Sequence, residues 1–135
     1  MQAIKSRITK GLSHYSLIDA CDNSGAKLLK IISVKGTSGK GVAGRKPSCG
    51  VGDLILASVR KGTPEMRKQV VFAVIVRQRM PFRRPNGERI KFEDNAAVVL
   101  KDEDGSPKGT LIKGAIPREV AERWPMVSKL AAIVV

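Results

Sequence analysis

Histidine is almost missing from this chain: His14 is the only one. That excludes a metal centre built on several histidines and a helix-borne histidine pair. A Ser-His-Asp arrangement would have to use His14, which lies in a weakly periodic leading segment, so a solvated imidazole is the better reading. Cysteine is scarce too. Cys21 and Cys49 are too few for a disulfide scaffold, and neither belongs to a C-x-x-C pair. A reducing cytosol is the default compartment for such usage. Five aromatics leave few platforms for stacking bases, and the aromatic-rich pattern of an RRM and the spacings of zinc fingers are both missing. The longest unbroken apolar run, Val70 to Val76, falls far short of the roughly 20 residues that cross a bilayer. The opening "MQAIKSRITKGL" has no apolar h-region and does not read as a signal peptide.

Negative charge is the next shortage. Twelve acids face 25 lysines and arginines, a net charge of +13 in 135 residues. Such a balance points to a polyanion, either nucleic acid or an anionic membrane, with a basic but otherwise ordinary enzyme as the alternative. The charges are also unevenly spread. No acid falls between Asn23 and Gly52, a stretch holding Lys27, Lys30, Lys35, Lys40, Arg45 and Lys46. None falls between Met66 and Gly87, which holds Arg67, Lys68, Arg77, Arg79, Arg83 and Arg84. Two acid-free basic stretches predict one shared positive face.

What remains is the pattern of a small β protein. Residues 1 to 14 read as a basic lead-in, and residues 15 to 135 as a single domain. Short β-branched segments alternate with turn residues: "YSLIDAC" before the turn "DNSG", "KLLKIISVK" before a glycine-rich loop, and "LILASVR" after "GVGD". "QVVFAVIVRQR" is apolar at nearly every central position, which predicts a strand buried on both faces or central in a barrel. Asn86-Gly87 is a strong hairpin signal linking "RQRMPFRR" to "ERIKFE". "AAVVL" and "GTLIKG" flank a charged turn. "PREVAERW" can form two helical turns, with Pro117 suited to the first position and Pro125 as a stop. Short, frequent strands without long helices predict a closed five-stranded β-barrel with a short C-terminal helical region.

The motifs that could carry other chemistry fail on context. "GKGVAG", from Gly39 to Gly44, fits G-x-G-x-x-G and follows a predicted strand. A dinucleotide loop needs a helix next, whose N-terminal amides hold the pyrophosphate, and Pro47, Gly50 and Gly52 prevent one. The P-loop reading fails because no Ser or Thr follows a Lys at the required place. A basic hairpin loop is the better account. "KDEDG" lacks the alternating acids and distal Glu of a calcium loop and reads as a charged turn. Glu93 and Asp94 are neighbours, so on a strand they point to opposite faces and make a poor acid–base pair. Phosphate recognition by Arg and Lys on a rigid β scaffold is left. Arg77 and Arg79 lie two apart and are expected on one strand face, and Arg83 and Arg84 near the hairpin tip.

Six ordered segments carry a family resemblance: "DNSGAK" (22–27), "GVGD" (50–53), "ASVRKGTPEMRK" (57–68), "AVIVRQR" (73–79), "RRPNG" (83–87) and "FEDNA" (92–96). Together they resemble the universal large-ribosomal-subunit protein fourteen family. The lead-in and "ERWP" (122–125) look like its archaeal and eukaryotic branch. The resemblance implies a five-stranded barrel that binds large-subunit rRNA and helps bridge to small-subunit rRNA. It also implies large-subunit proteins three and twenty-four-e as neighbours, an anti-association initiation factor docking nearby, and no membrane role, cofactor or metal. Lys27, Lys40, Arg45, Lys46, Arg77, Arg79, Arg83, Arg84 and Lys91 are the candidate rRNA contacts. Lys61, Pro64, Arg67, Lys68, Arg118 and Arg123 are the candidate bridge residues. The chain departs from the family's usual pattern at Met80, where a Lys is usual, at Asn86, where an Asp is usual, and at "GAIPRE", which moves a proline to 117. The loop from Gly36 to Cys49 is slightly lengthened. A free-standing RNA-binding barrel would favour more exposed aromatics, and the residue inventory opposes an enzyme.

Overall fold

The structure is a computed structural model, and it describes residues 6–36 and 45–135. Five strands form a closed barrel: β2 (Leu17–Ala20), β3 (Ala26–Val34), β5 (Leu54–Gly62), β6 (Val70–Arg77) and β9 (Ala96–Leu100). Antiparallel pairing runs β2–β3–β5–β6–β9, and the ring closes by parallel pairing of β9 with β2, Asp19 opposite Ala96. Closure leaves the barrel strands no open edge.

Two apolar clusters explain why these segments are strands. Alternate residues point inward, so Ile18, Leu29, Ile31, Ile55, Ala73 and Val99 fill the barrel. The outward residues of β5, β6 and β9 would face water in a simple barrel. Here Leu54, Val74, Val76 and Val98 are instead covered by Ile116, Val120, Trp124 and Val127 from the C-terminal segment. Two covered faces are the reason "VVFAVIV" and "AAVVL" are continuously apolar; every residue of β9 is buried.

The cover is built from β10 (Ile112–Ile116), α1 (Arg118–Arg123), α2 (Pro125–Leu130) and β11 (Ala131–Val134), with β11 lying parallel to β10. It differs in two places from the sequence expectation. Pro117 is the N-cap of α1, extended at φ −75° and ψ 155°, and not its first helical residue. Pro125 ends α1 but also opens α2, because the first helical position has no need of the N–H that proline lacks.

Short strand pairs finish the fold. β7 (Phe82–Arg83) and β8 (Arg89–Ile90) form the hairpin marked by Asn86-Gly87. In the lead-in, β1 (Leu12–Ser13) pairs with β4 (Ser48–Cys49), and Leu12 is buried in the barrel cluster.

Candidate nucleic-acid interface

The turn "DNSG" does more than reverse the chain. Asp22 is buried; its carboxylate accepts hydrogen bonds from the Val99 amide (3.0 Å) and the Ser24 hydroxyl (2.8 Å). Burial raises the carboxyl pKa, and the bonds from Ser24 and Val99 oppose that rise. Asn23 Oδ1 accepts from the amides of Thr110 and Leu111, tying the turn to the start of the C-terminal cover. Next to it, burial pushes the Cys21 thiol up to about 12, with Arg77 acting in the opposite sense. That cysteine stays a thiol at neutral pH and is a poor nucleophile.

The arginines expected to share one face divide into two groups. Arg77 turns back into the molecule. Its Nε and Nη2 donate to the two carboxylate oxygens of Asp94 at 2.9 and 3.1 Å, and Nη1 donates to the carbonyls of Lys113 and Ala115. Its guanidinium therefore ties the end of β6 to the 94 turn and to β10. Arg84 does the same for the hairpin: it forks onto Glu119 of α1 at 2.8 and 3.3 Å and donates to the Val135 carbonyl. Arg123 donates to the Gly52 carbonyl at 2.7 Å and lies 3.4 Å from Asp53. The indole of Trp124 donates to the same Gly52 carbonyl at 2.9 Å. These three guanidinium groups are 10–15% exposed, and each is engaged with carboxylate and carbonyl oxygens.

The second group faces solvent: Lys27, Arg45, Lys46, Arg79, Arg83 and Lys91 are all exposed. Lys40 lies outside the described residues. Arg79 is steadied by its backbone amide on Asn95 Oδ1 (2.8 Å) and its Nε on the Glu93 carbonyl (2.9 Å), while the side chain stays exposed. Between them, buried Gln78 separates the inward Arg77 from the outward Arg79, so the expected shared face for these two is absent. The hairpin register sets Arg83 directly opposite Arg89, and both are exposed. Like charges at opposed positions weaken a hairpin, and an anion between them removes the penalty. Arg89 is absent from the sequence-derived set. A two-residue Asn86-Gly87 turn would set Arg89 opposite Arg84; the loop holds one residue more, 85–87, and that brings Arg83 to the place.

Lys61, Pro64, Arg67 and Lys68 are exposed together around the β5–β6 connection, which buries Met66 beneath them. Arg118 is also exposed, whereas Arg123 is turned inward as described. Among the aromatics, Trp124 and Phe82 are buried and Phe72 and Phe92 half-buried. Tyr15, 61% exposed, stacks on His14 with ring centroids 3.7 Å apart. Bases therefore find little to stack on, while phosphates find many cations. Among the described residues, no group of three His, Cys, Asp or Glu side chains could hold a metal ion. Nor, among the described residues, is any helix long and apolar enough to cross a membrane.

Residues 11–135 match the family described as ribosomal protein L14p/L23e. The chain belongs to that family. The large ribosomal subunit protein uL14 of Halorubrum lacusprofundi is 56% identical over the whole of both chains. The uL14 of Sulfurisphaera tokodaii is 54% identical, covering all of this chain and 97% of its own. That of Saccharolobus solfataricus is 51% identical over the same shares. As a member of the L14p/L23e family, the chain is a structural constituent of the large subunit of the cytoplasmic ribosome and not an enzyme.

Proposed function

We propose that the chain holds folded large-subunit rRNA together by placing its exposed cations against phosphates, and presents a second surface to small-subunit rRNA. The observation that carries this reading is the sorting of the arginines. Arg77, Arg84 and Arg123 are spent on internal oxygens, and their work is to hold the loops and the C-terminal cover against the barrel. Lys27, Arg45, Lys46, Arg79, Arg83 and Lys91 are left outward with few competing acids. Arg89 joins them through the hairpin register. Phosphate contacts of this kind position a protein on RNA with little dependence on base sequence.

The bridge surface is the β5–β6 connection with Lys61, Pro64, Arg67 and Lys68, joined by Arg118. Its support is common exposure on one turn and the family resemblance. Arg123 bonds instead to Gly52 and Asp53, before the opposite end of β5, and so acts on the C-terminal cover and not on that connection. The exposed apolar residues of β11 and beyond, Ile133, Val134 and Val135, favour protein neighbours at the C-terminal end. The resemblance names these as large-subunit proteins three and twenty-four-e, with an anti-association factor close by.

Gradient sedimentation of cell extract tests the assignment. The chain is expected to travel with large subunits and to remain there through a moderate-salt wash. Recovery in the light fractions would overturn it.

A further inference from the structure

The lead-in is seated more firmly than its sequence suggests. Gln78, fully buried, donates from Nε2 to the Thr9 carbonyl (2.8 Å) and the Met80 carbonyl (3.0 Å), and accepts from the Val51 amide at Oε1 (3.2 Å). One amide thus fastens the lead-in to the barrel end, the hairpin limb and the "GVGD" turn. Packing agrees. A Cβ on Gly11 would collide with the Met80 side chain, and one on Gly50 would come within 3.1 Å of the Thr9 carbonyl.

Held this way, residues 6–10 form one wall of an open cleft whose other wall is the β7–β8 hairpin. Two adjoining hollows of about 540 and 580 Å³ share Ser6, Arg7, Ile8 and Arg83 as lining. Lys10 lines the first, and Phe82 and Pro85 line the second. The floor is therefore apolar and the rim cationic. The acid at the far end, Glu119, is already bound to Arg84.

We infer that this cleft takes an unpaired nucleotide of an RNA strand, its base lying against Ile8 and Pro85 without an aromatic platform and its flanking phosphates on Arg7, Lys10 and Arg83. The inference rests on the RNA-binding reading above. Charge complementarity selects the occupant: Arg7, Lys10 and Arg83 converge with no unpaired carboxylate on the lining, which suits a phosphodiester strand. A hollow floored by side chains suits a single base and not a stacked duplex. Gln78 is a positioning residue, since it touches the lead-in and not the RNA.

The test uses the full chain and a large-subunit rRNA fragment carrying 4-thiouridine. Irradiation is expected to crosslink the 6–10 and 82–85 segments. The triple variant R7S/K10S/R83S, altered only at exposed side chains, is expected to bind at least about tenfold more weakly and to flatten the salt slope by about 3, one for each lost phosphate contact. K101S/K108S/K129S removes the same charge elsewhere on the surface and is expected to leave both nearly unchanged. Equal losses from the two triples, or crosslinks that avoid both segments while wild-type binding persists, would overturn the cleft and leave the general RNA reading standing. Failure of the wild-type chain to bind rRNA at all would overturn both. Binding of an acidic peptide in the cleft with no RNA crosslink there would replace the nucleotide by a protein partner.

Discussion

At the scale of single residues, charge alone does not say what an arginine does. Arg77 and Arg79 are two positions apart in a basic run, yet one is fixed between Asp94 and two carbonyls and the other is exposed. The difference lies in the guanidinium fork, which matches a carboxylate with two parallel bonds and still has donors for carbonyl oxygens. Lysine can keep a point charge near Asp94 but cannot reproduce the remaining bonds. Arg77→Lys is therefore expected to cost about 1.5–3 kcal/mol of stability, the range for hydrogen bonds to a charged group, read as a lower denaturation midpoint. Its salt dependence of RNA binding should stay that of the wild type. Unchanged stability with a shallower salt slope would put Arg77 on the RNA.

At the scale of elements, the barrel was legible because its signals are local. "VVFAVIV" declares a strand covered on both sides or central in a barrel, and Asn86-Gly87 declares a hairpin. The second helix was not legible, since Pro125 is compatible both with a stop and with a start, and only the packing of Val127 beneath β6 and β9 decides. The fate of Arg77, Arg84 and Arg123 was hidden for a related reason: their partners lie 17, 35 and 70 residues away in sequence. The acid-free stretches marked Lys27, Arg45, Lys46, Arg79 and Arg83, all exposed, but they could not separate these from Arg77 and Arg84, which turn inward from the same stretch. The turn before β10 shows how tightly the cover fits. Gly105 has φ +102°, and a Cβ there would lie 2.7 Å from Cε3 of Trp124, a ring that is itself buried. Gly105→Ala is expected to cost about 2–4 kcal/mol, combining left-handed strain with overpacking. Thermal unfolding would show it, and a variant as stable as the wild type would mean that the Trp124 cover yields easily.

At the scale of the molecule, the closed barrel is a rigid block whose surplus charge is carried outside. The C-terminal cover, held by Arg77, Arg84, Arg123 and the Trp124 indole, lets one small barrel present the proposed RNA face and the proposed second surface together. The fold has no need of the net charge of +13; in isolation, self-repulsion of that charge works against the compact state. A partner of opposite sign removes that cost, and the phosphate backbone of the proposed rRNA partner has that sign.

The salt dependence of binding to a large-subunit rRNA fragment tests this division of labour most directly. Six exposed cations on phosphates predict a plot of log affinity against log salt with a slope of at least about −4, from roughly 0.7 to 0.9 counterions released per contact. Arg79→Ser should reduce that slope by about 1. A slope shallower than about −1, or one left unchanged by Arg79→Ser but reduced by Arg77→Lys, would contradict the account.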